Sequence, residues 1–581
     1  MVRRAALLTL IVLALLTPAA PAAAQATATG SGGAAATVDR LGTRTAISVL
    51  RRGGNAVDAA VAAAAVLGVV EPYSCGIGGG GFMVIRTPGG RVTTIDSRER
   101  SPAAMSPTSF FEDGEPLEFD PARYSGLSAG VPGTVRGWSD ALDRYGTWSL
   151  RSALRPGAAV ARHGFEVDET FAAQTEDNVP FFDDLPATAE LYLDADGTPR
   201  DVGSRLRNPD LARTYDLIGR RGPRGFYSGP VAAAIVDAVR TPPVAGSADH
   251  LWRPGLLTAS DLAAYSSPER RPTRVDFRGL AVWGMAPPSS GGSTVGEVLN
   301  VLEGYRDLAS DRARAFHLLI EAERLAFADR GAYLADPDFF DVPLRGLLSE
   351  RFAAERRALI DPATAGTSPA DPGDPRGDGG PQARGEAAFS HPRQSTTHLT
   401  VSDRHGTVVS YTFTIESTGG NGIVVPGRGF LLNNELTDFD YDDPAHPNRA
   451  DAGKRPRSSM SPTIVTRGRR PVLALGSPGG STIITTVAQI LVDRLALGSS
   501  LPDAIAAPRV SQRNAAASEA EQAFIDSALG QALATRYGQA FEPADDDIGA
   551  ATGIEFGRRG RLLAAAEPAR RGGGSAAVVS P

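Results

Sequence analysis

"RQSTTHLTVSDRHGTVVSYTFTIE", residues 393–416, joins two kinds of chain with no transition between them. The residues before it, "DPATAGTSPADPGDPRGDGGPQARGEAAF", are rich in Pro, Gly, Asp and Ser, too poor in apolar surface to fold on their own, and are expected to be mobile over 361–395. From Thr396 the chain alternates in period 2. "TTHLTVSD" and "TVVSYTFT" flank Arg404-His405-Gly406, a three-residue hairpin loop with Gly in the left-handed position. Pairing Asp403 with Thr407 and counting back sets Thr396 opposite Thr414, so two hydroxyls face each other at one end of a sheet. On these residues alone, such a pair is also what any strand-forming threonines would give.

The tract ahead of the hairpin changes the weight of that observation. A Thr at the first residue of a strand, after a mobile segment, suits a chain that is cut between Ser395 and Thr396. The cut would place a free α-amine beside the Thr396 hydroxyl. Such an amine titrates at about 7.7–8.0, near the value a general base needs at neutral pH. Thr activated by its own N-terminal amine is an established nucleophile, and attack of the hydroxyl on the preceding carbonyl would make the cut autocatalytic.

Around the hairpin the pattern predicts a mixed, layered α/β architecture. "GGNAVDAAVAAAAVLGVVEP" reads as a helix with Asn55 as its N-cap, ended before Pro72. "AFHLLIEAERLAFADRGAYLADP", residues 315–337, reads as an amphipathic helix. "GIGGGGFMVIR" is a glycine loop that feeds a strand, whereas a phosphate cradle would open a helix. "RPVLALGSPGGSTIITTVAQILVDRL" reads as strand, glycine turn and helix. The proline-rich stretch "TPPVAGSADHLWRPG" over 241–255 suggests no role.

Composition removes several functions. The 581 residues are 42% hydrophobic and 22% charged, with a net charge of −7, which argues against a nucleic-acid surface. One cysteine, Cys75, rules out an internal disulfide framework and cysteine-rich metal sites, and seven His without metal-type spacing make a bound metal unexpected. The N-terminus carries Arg3 and Arg4, an apolar run over 5–16, Pro18 and Ala22-Ala23-Ala24. This is the pattern of a cleaved secretory signal over 1–24, so the mature protein is expected to be exported, periplasmic or secreted, with no membrane span.

At this point a longer set of motifs comes together. "GGNAVDAAVAAAAVLGVVEP", "GIGGGGFMVIR", "IDSRERSP", "GVPGTVRGW", "APPSSGG", "STTH", "GFLLNNELTDF", "KRPRSSMSPTI" and "GSPGG", in this order, resemble the γ-glutamyltranspeptidase family of N-terminal-nucleophile hydrolases. The resemblance implies a four-layer αββα sandwich built from two chains cut from one precursor: a large subunit over 25–395 and a small catalytic subunit over 396–581. It implies Ser395–Thr396 as the cleavage site, Thr396 as nucleophile and Thr414 as its hydroxyl partner. Gly479 and Gly480 match the backbone pair that stabilises the oxyanion. Arg98, with Ser458 and Ser459, matches the grip on the substrate's α-carboxylate, and Glu416, Glu435 and Asp438 match the positions that receive its α-ammonium.

The same resemblance implies glutathione and related γ-glutamyl compounds as donors, water or amino acids and peptides as acceptors, a heterodimer of the two subunits, and no cofactor. The short segment "YDDPAHPNRADAGKRPR" between Asp440 and Ser458 resembles the branch that lacks a lid. Position 416 is Glu where some members have Asn. Two enzyme alternatives stand beside this reading, a cephalosporin (glutaryl) acylase and a poly-γ-glutamate-acting relative. A secreted binding protein without chemistry is a further, less supported one. His398, next to the nucleophile, is expected to be a buried structural residue, because the Thr396 amine already supplies the base.

Overall fold

Alternating runs and glycine turns build twelve strands of one hydrogen-bonded sheet in this computed structural model, which describes residues 26–379 and 395–580. In chain order they begin with β1 (Thr27–Thr37), β2 (Gly80–Arg86), β3 (Val92–Asp96), β4 (Thr273–Phe277), β5 (Leu280–Gly284) and β6 (Thr397–Asp403). They continue as β7 (Val408–Thr414), β8 (Thr463–Arg467), β9 (Arg470–Gly476), β10 (Thr552–Phe556), β11 (Leu562–Ala566) and β12 (Ser575–Ser580). All pair antiparallel.

β1 folds this sheet into two leaves. Thr27 to Gly30 pair with β11, while Gly33 to Thr37 lie between β6 and β12. The register slips between Ser31 and Ala34, where Gly32 and Gly33 have φ of 79° and 126°. Such a bulge lets one strand serve both leaves. One leaf runs β3-β2-β7-β6-β1-β12 and the other β1-β11-β10-β9-β8-β5-β4. They face each other through small and polar side chains. The His398 ring of β6 lies against Gly476 of β9, and Ser410 of β7 donates to the Leu475 carbonyl at 2.9 Å.

Helices cover both outer faces. α1 (Arg40–Arg51), α2 (Ala56–Val70), α3 (Thr134–Tyr145) and α4 (Leu150–His163) pack on or behind the first leaf. α5 (Gly291–Glu303), α6 (Arg312–Tyr333) and α7 (Thr482–Leu495) do so for the second. The αββα order expected from the motifs is therefore present. α2 starts at Asn55 with a reciprocal capping box to Asp58 and is buried along its whole length, as a helix apolar on every side must be.

Two expectations need correction. α6 is not amphipathic in its setting: it is buried on nearly every side, with Glu321, Glu323, Arg324, Asp329 and Arg330 among the buried residues. The cover includes the Pro/Gly/Asp-rich tract, and this overturns the expected mobility over 361–379. Gly366 N donates to Glu321 at 3.1 Å, Gly373 N to Asp329 at 2.6 Å, Arg324 to Thr367 O at 2.8 Å and Tyr333 to Gly373 O at 2.8 Å. A segment whose only apolar side chains besides proline are three alanines is held here largely by the polar groups of the helix it covers. Residues 380–394 and the signal-like 1–24 lie outside the described residues. The 241–255 stretch is anchored through Asp184, which accepts from Ala245 N and from Trp252 Nε1, both at 2.7 Å. Among the described residues, no helix is long and apolar enough to cross a membrane.

Candidate active site

The hairpin has the register counted from its sequence. Thr397 pairs with Phe413, Asp403 N donates to Thr407 O at 3.1 Å, and Gly406 has φ 88°. Thr396 and Thr414 are thereby opposed at the head of β6 and the end of β7, with their hydroxyl oxygens 3.2 Å apart. In the uncut chain Thr396 Oγ1 lies 2.5 Å from the Ser395 carbonyl oxygen, and Thr414 donates to the same oxygen at 2.9 Å. The glycine loop that leads into β2 packs directly on this end of the sheet. A β-carbon at Gly79 would overlap the Thr414 carbonyl, and one at Gly80 the Ser97 carbonyl. The loop's role is close approach to β7, not a phosphate cradle.

Arg571 holds the other side of the joint, from 175 residues away. It donates to Thr396 O at 2.7 Å, to Ser74 Oγ at 2.6 Å and to Ser395 Oγ at 3.1 Å. Nothing in "EPARRGGG" sets Arg571 apart from a surface arginine, so sequence reasoning missed both it and Ser74.

A pocket opens beside Thr396, lined by Arg98, Ser395, Thr414, Glu416, Glu435, Asp438, Ser458, Ser459, Met460, Gly480, Ser481 and Ile483. Arg98 follows β3, and its side chain is 1% exposed. Its guanidinium pairs with Glu435 and, at 2.5 Å, with Asp438, and it donates to the carbonyls of Pro456 at 3.1 Å and Arg457 at 3.0 Å. The expected anion grip and two of the expected ammonium acceptors thus form one ion cluster. Glu99, buried and 4.0 Å from Arg98, has no hydrogen-bond partner for either oxygen among the described residues, and burial pushes its carboxyl up to about 8.

Glu416 has φ 80°, a left-handed conformation that costs a non-glycine residue on the order of 1–2 kcal/mol. It is held there from three sides. Its N–H donates to Thr414 Oγ1 at 2.8 Å, its carbonyl accepts from Ser395 N at 2.9 Å, and its carboxylate accepts from Asn434 at 2.5 Å and from Ser417. Burial, with repulsion from Asp438 second, pushes its carboxyl up to about 7. This group therefore changes charge near neutral pH.

Ser458 and Ser459 form the opposite wall, and "APPSSGG" is the scaffold behind them. Ser290 donates from both N and Oγ to Ser458 O at 2.7 Å, Ser458 N donates to Pro288 O at 3.0 Å, and Ser289 Oγ donates to Met460 O at 2.7 Å. At the third side, Gly479 and Gly480 have φ 125° and 54° and lead into α7, whose N-cap Ser481 makes no side-chain capping bond. Gly480 reaches the pocket wall and Gly479 sits one residue behind it. A helix N-terminus here gives the pocket a positive end. His398 is fully buried between Thr412 and Thr400, at 2.8 and 3.1 Å, and burial holds its pKa down to about 3, so it stays neutral and is not the base.

The structure therefore gathers all the candidate residues except Gly479 on one pocket. Beyond them it adds Met460, which lies inside one quoted motif, and Ser481 and Ile483, which follow another; Asn434, also inside a motif, bonds Glu416. An αββα sandwich with a threonine at the head of a central strand and a hydroxyl partner across the hairpin is the arrangement of the N-terminal-nucleophile hydrolases. The profile of one family, described as Gamma-glutamyltranspeptidase, matches residues 42–578. The chain belongs to the gamma-glutamyltranspeptidase family. It is 38% identical over 495 residues to a glutathione hydrolase proenzyme of Bacillus subtilis (strain 168), covering 83% of this chain and 81% of that one. It is 35% identical over 550 residues to an acylase ACY 1 proenzyme of Pseudomonas sp. (strain SE83), covering 93% and 92%. Among solved structures, a cephalosporin acylase from Bacillus halodurans superposes with a TM-score of 0.81 at 27% identity, over 98% of this chain and 99% of the other.

Proposed function

We propose that this chain is an exported, self-processed γ-glutamyl hydrolase and transferase with Thr396 as nucleophile. One observation carries the choice of donor: three carboxylates, Glu416, Glu435 and Asp438, meet one guanidinium, Arg98, in the pocket of Thr396. These side chains sum to a negative charge, which attracts an α-ammonium. The α-carboxylate on the same carbon then finds Arg98 and the hydroxyls of Ser458 and Ser459. A glutaryl group lacks the ammonium and would add a further negative charge to the pocket. Glutathione has the required head group.

The first reaction is on the chain itself. The Thr396 oxygen adds to the Ser395 carbonyl carbon, the C–N bond breaks with the proton passing to nitrogen, and water hydrolyses the ester. This leaves a carboxylate on Ser395 and a free amine on Thr396. The Thr414 hydroxyl, already bonded to the Ser395 oxygen, stabilises the charge that develops there. In the mature enzyme the amine takes the Thr396 proton as the oxygen attacks the γ-amide carbonyl. The Gly479–Gly480 backbone stabilises the oxyanion, and the amine returns the proton to the leaving amine. Water or an acceptor amine then resolves the γ-glutamyl ester. The two chains stay together after the cut because their strands interleave: β6 and β7 of the small chain pair with β1 and β2 of the large one. The signal-like residues 1–24 support export.

The test compares γ-glutamyl and glutaryl anilides. A charge-assisted bond of about 1.5–3 kcal/mol predicts at least about a tenfold preference in kcat/KM for γ-glutamyl; a preference for glutaryl would overturn the reading. The pH dependence gives a second check. Glu416 is neutral below about 7 and charged above it, so the KM for a γ-glutamyl donor should fall as pH rises through 7. Glu416→Gln should remove that change and raise KM, while the dependence of kcat on the Thr396 amine remains.

A further inference from the structure

A second arginine reaches the pocket wall from behind. Arg330, in the last turn of α6, is 6% exposed and donates to Ser290 Oγ at 2.9 Å and to Ser459 Oγ at 2.8 Å. Among the described residues, no carboxylate lies within ion-pair distance of it. Several other buried arginines do have one: Arg324 has Glu321, Arg356 has Asp329, Arg509 has Glu567 and Arg513 has Glu519. Arg86, equally buried, has none but donates to the backbone carbonyls of Gly406 and Arg469, whereas Arg330 donates to two hydroxyls that can pass the bond on. The acids nearest in effect are already engaged, Asp438 with Arg98 and Asp440 with Arg457. Burial and repulsion from Arg457 lower the Arg330 pKa to about 9, which leaves it charged at neutral pH.

A buried guanidinium that has two hydroxyls and the face of Phe327, 5.6 Å away, but no carboxylate is only partly compensated. Ser459 supplies the direction in which the remainder acts. Because its oxygen accepts from Arg330, its own proton is free to point elsewhere, and Ser459 lines the pocket beside Thr396. Arg98 alone cannot make this wall attractive to an anion, since Glu435 and Asp438 already offset its charge.

We propose that Arg330 is a positioning residue and specificity determinant: it orients Ser459 to donate into the pocket and supplies the partly compensated positive charge that admits the donor's α-carboxylate. This rests on the γ-glutamyl reading above. The experiment uses the processed two-chain enzyme and two donors, γ-glutamyl anilide and 4-aminobutyryl anilide, which is the same donor without its α-carboxylate. Arg330→Met should raise KM for the γ-glutamyl donor about tenfold or more, with kcat changed less than threefold and KM for the 4-aminobutyryl donor unchanged. Arg330→Lys should give an intermediate rise, again with the γ-glutamyl donor alone, and carries the test if the Met variant does not mature. Equal changes with both donors, or a loss confined to kcat, would overturn the assignment. A wild-type enzyme that did not distinguish the two donors would overturn the γ-glutamyl reading itself, and the role of Arg330 with it.

Discussion

Thr396→Ala is expected to give a folded but uncut chain without γ-glutamyl turnover. The substitution removes the oxygen that attacks in both reactions, and, because the cut fails, it also withholds the amine that serves as base. Nucleophile and base act as one unit, and losing such a unit costs on the order of 10⁶ in kcat, so residual activity should lie at least about four orders of magnitude below wild type. Thr396 is 4% exposed and the change removes only one hydroxyl and one methyl group, so the far-ultraviolet circular dichroism should stay native. Thr396→Ser keeps oxygen and amine but loses the methyl group that restricts the rotamer, and should mature and turn over more slowly. An alanine variant that is cut and active would exclude Thr396 as nucleophile.

Arg98→Met should produce the second-largest effect, in stability and catalysis together. The side chain is 1% exposed and faces Glu435 and Asp438. Removing the cation from a buried ion cluster leaves carboxylates unpaired, at a cost of about 3–5 kcal/mol, visible as a lower denaturant midpoint. With four of its five N–H groups already engaged, Arg98 has one left for the donor carboxylate, and loss of that charge-assisted bond, at about 1.5–3 kcal/mol, should cut kcat/KM by roughly 10- to 10²-fold. Arg98→Lys keeps the charge but not the planar fork and should fall between. A methionine variant with unchanged stability and unchanged KM would show that Arg98 neither anchors the cluster nor meets the donor.

Much of this site could be read from the chain because its decisive geometry is local. The Thr396–Thr414 pair follows from a hairpin register that one glycine loop sets, and the strand–turn–helix around Gly480 follows from period and turn chemistry. Arg98, Glu435, Asp438 and Ser458 could be placed together only through the ordered motif set, because three separate segments bring them to the pocket. Arg571 and Arg330 were not legible for the same reason. Each acts through contacts more than a hundred residues away in sequence, and no local pattern marks such a contact. The tract over 361–379 misled in the opposite sense: its composition predicts mobility, but the buried acids and arginine of α6 supply the bonds that hold it.

The central claim is that this chain cuts itself between Ser395 and Thr396 to expose its own catalytic amine. Intact mass and N-terminal sequencing of the purified wild-type protein test it most directly. The account predicts two chains that remain associated, the smaller beginning Thr-Thr-His-Leu. A single chain that nevertheless turns over γ-glutamyl substrates, or a cut at any other bond, would contradict it.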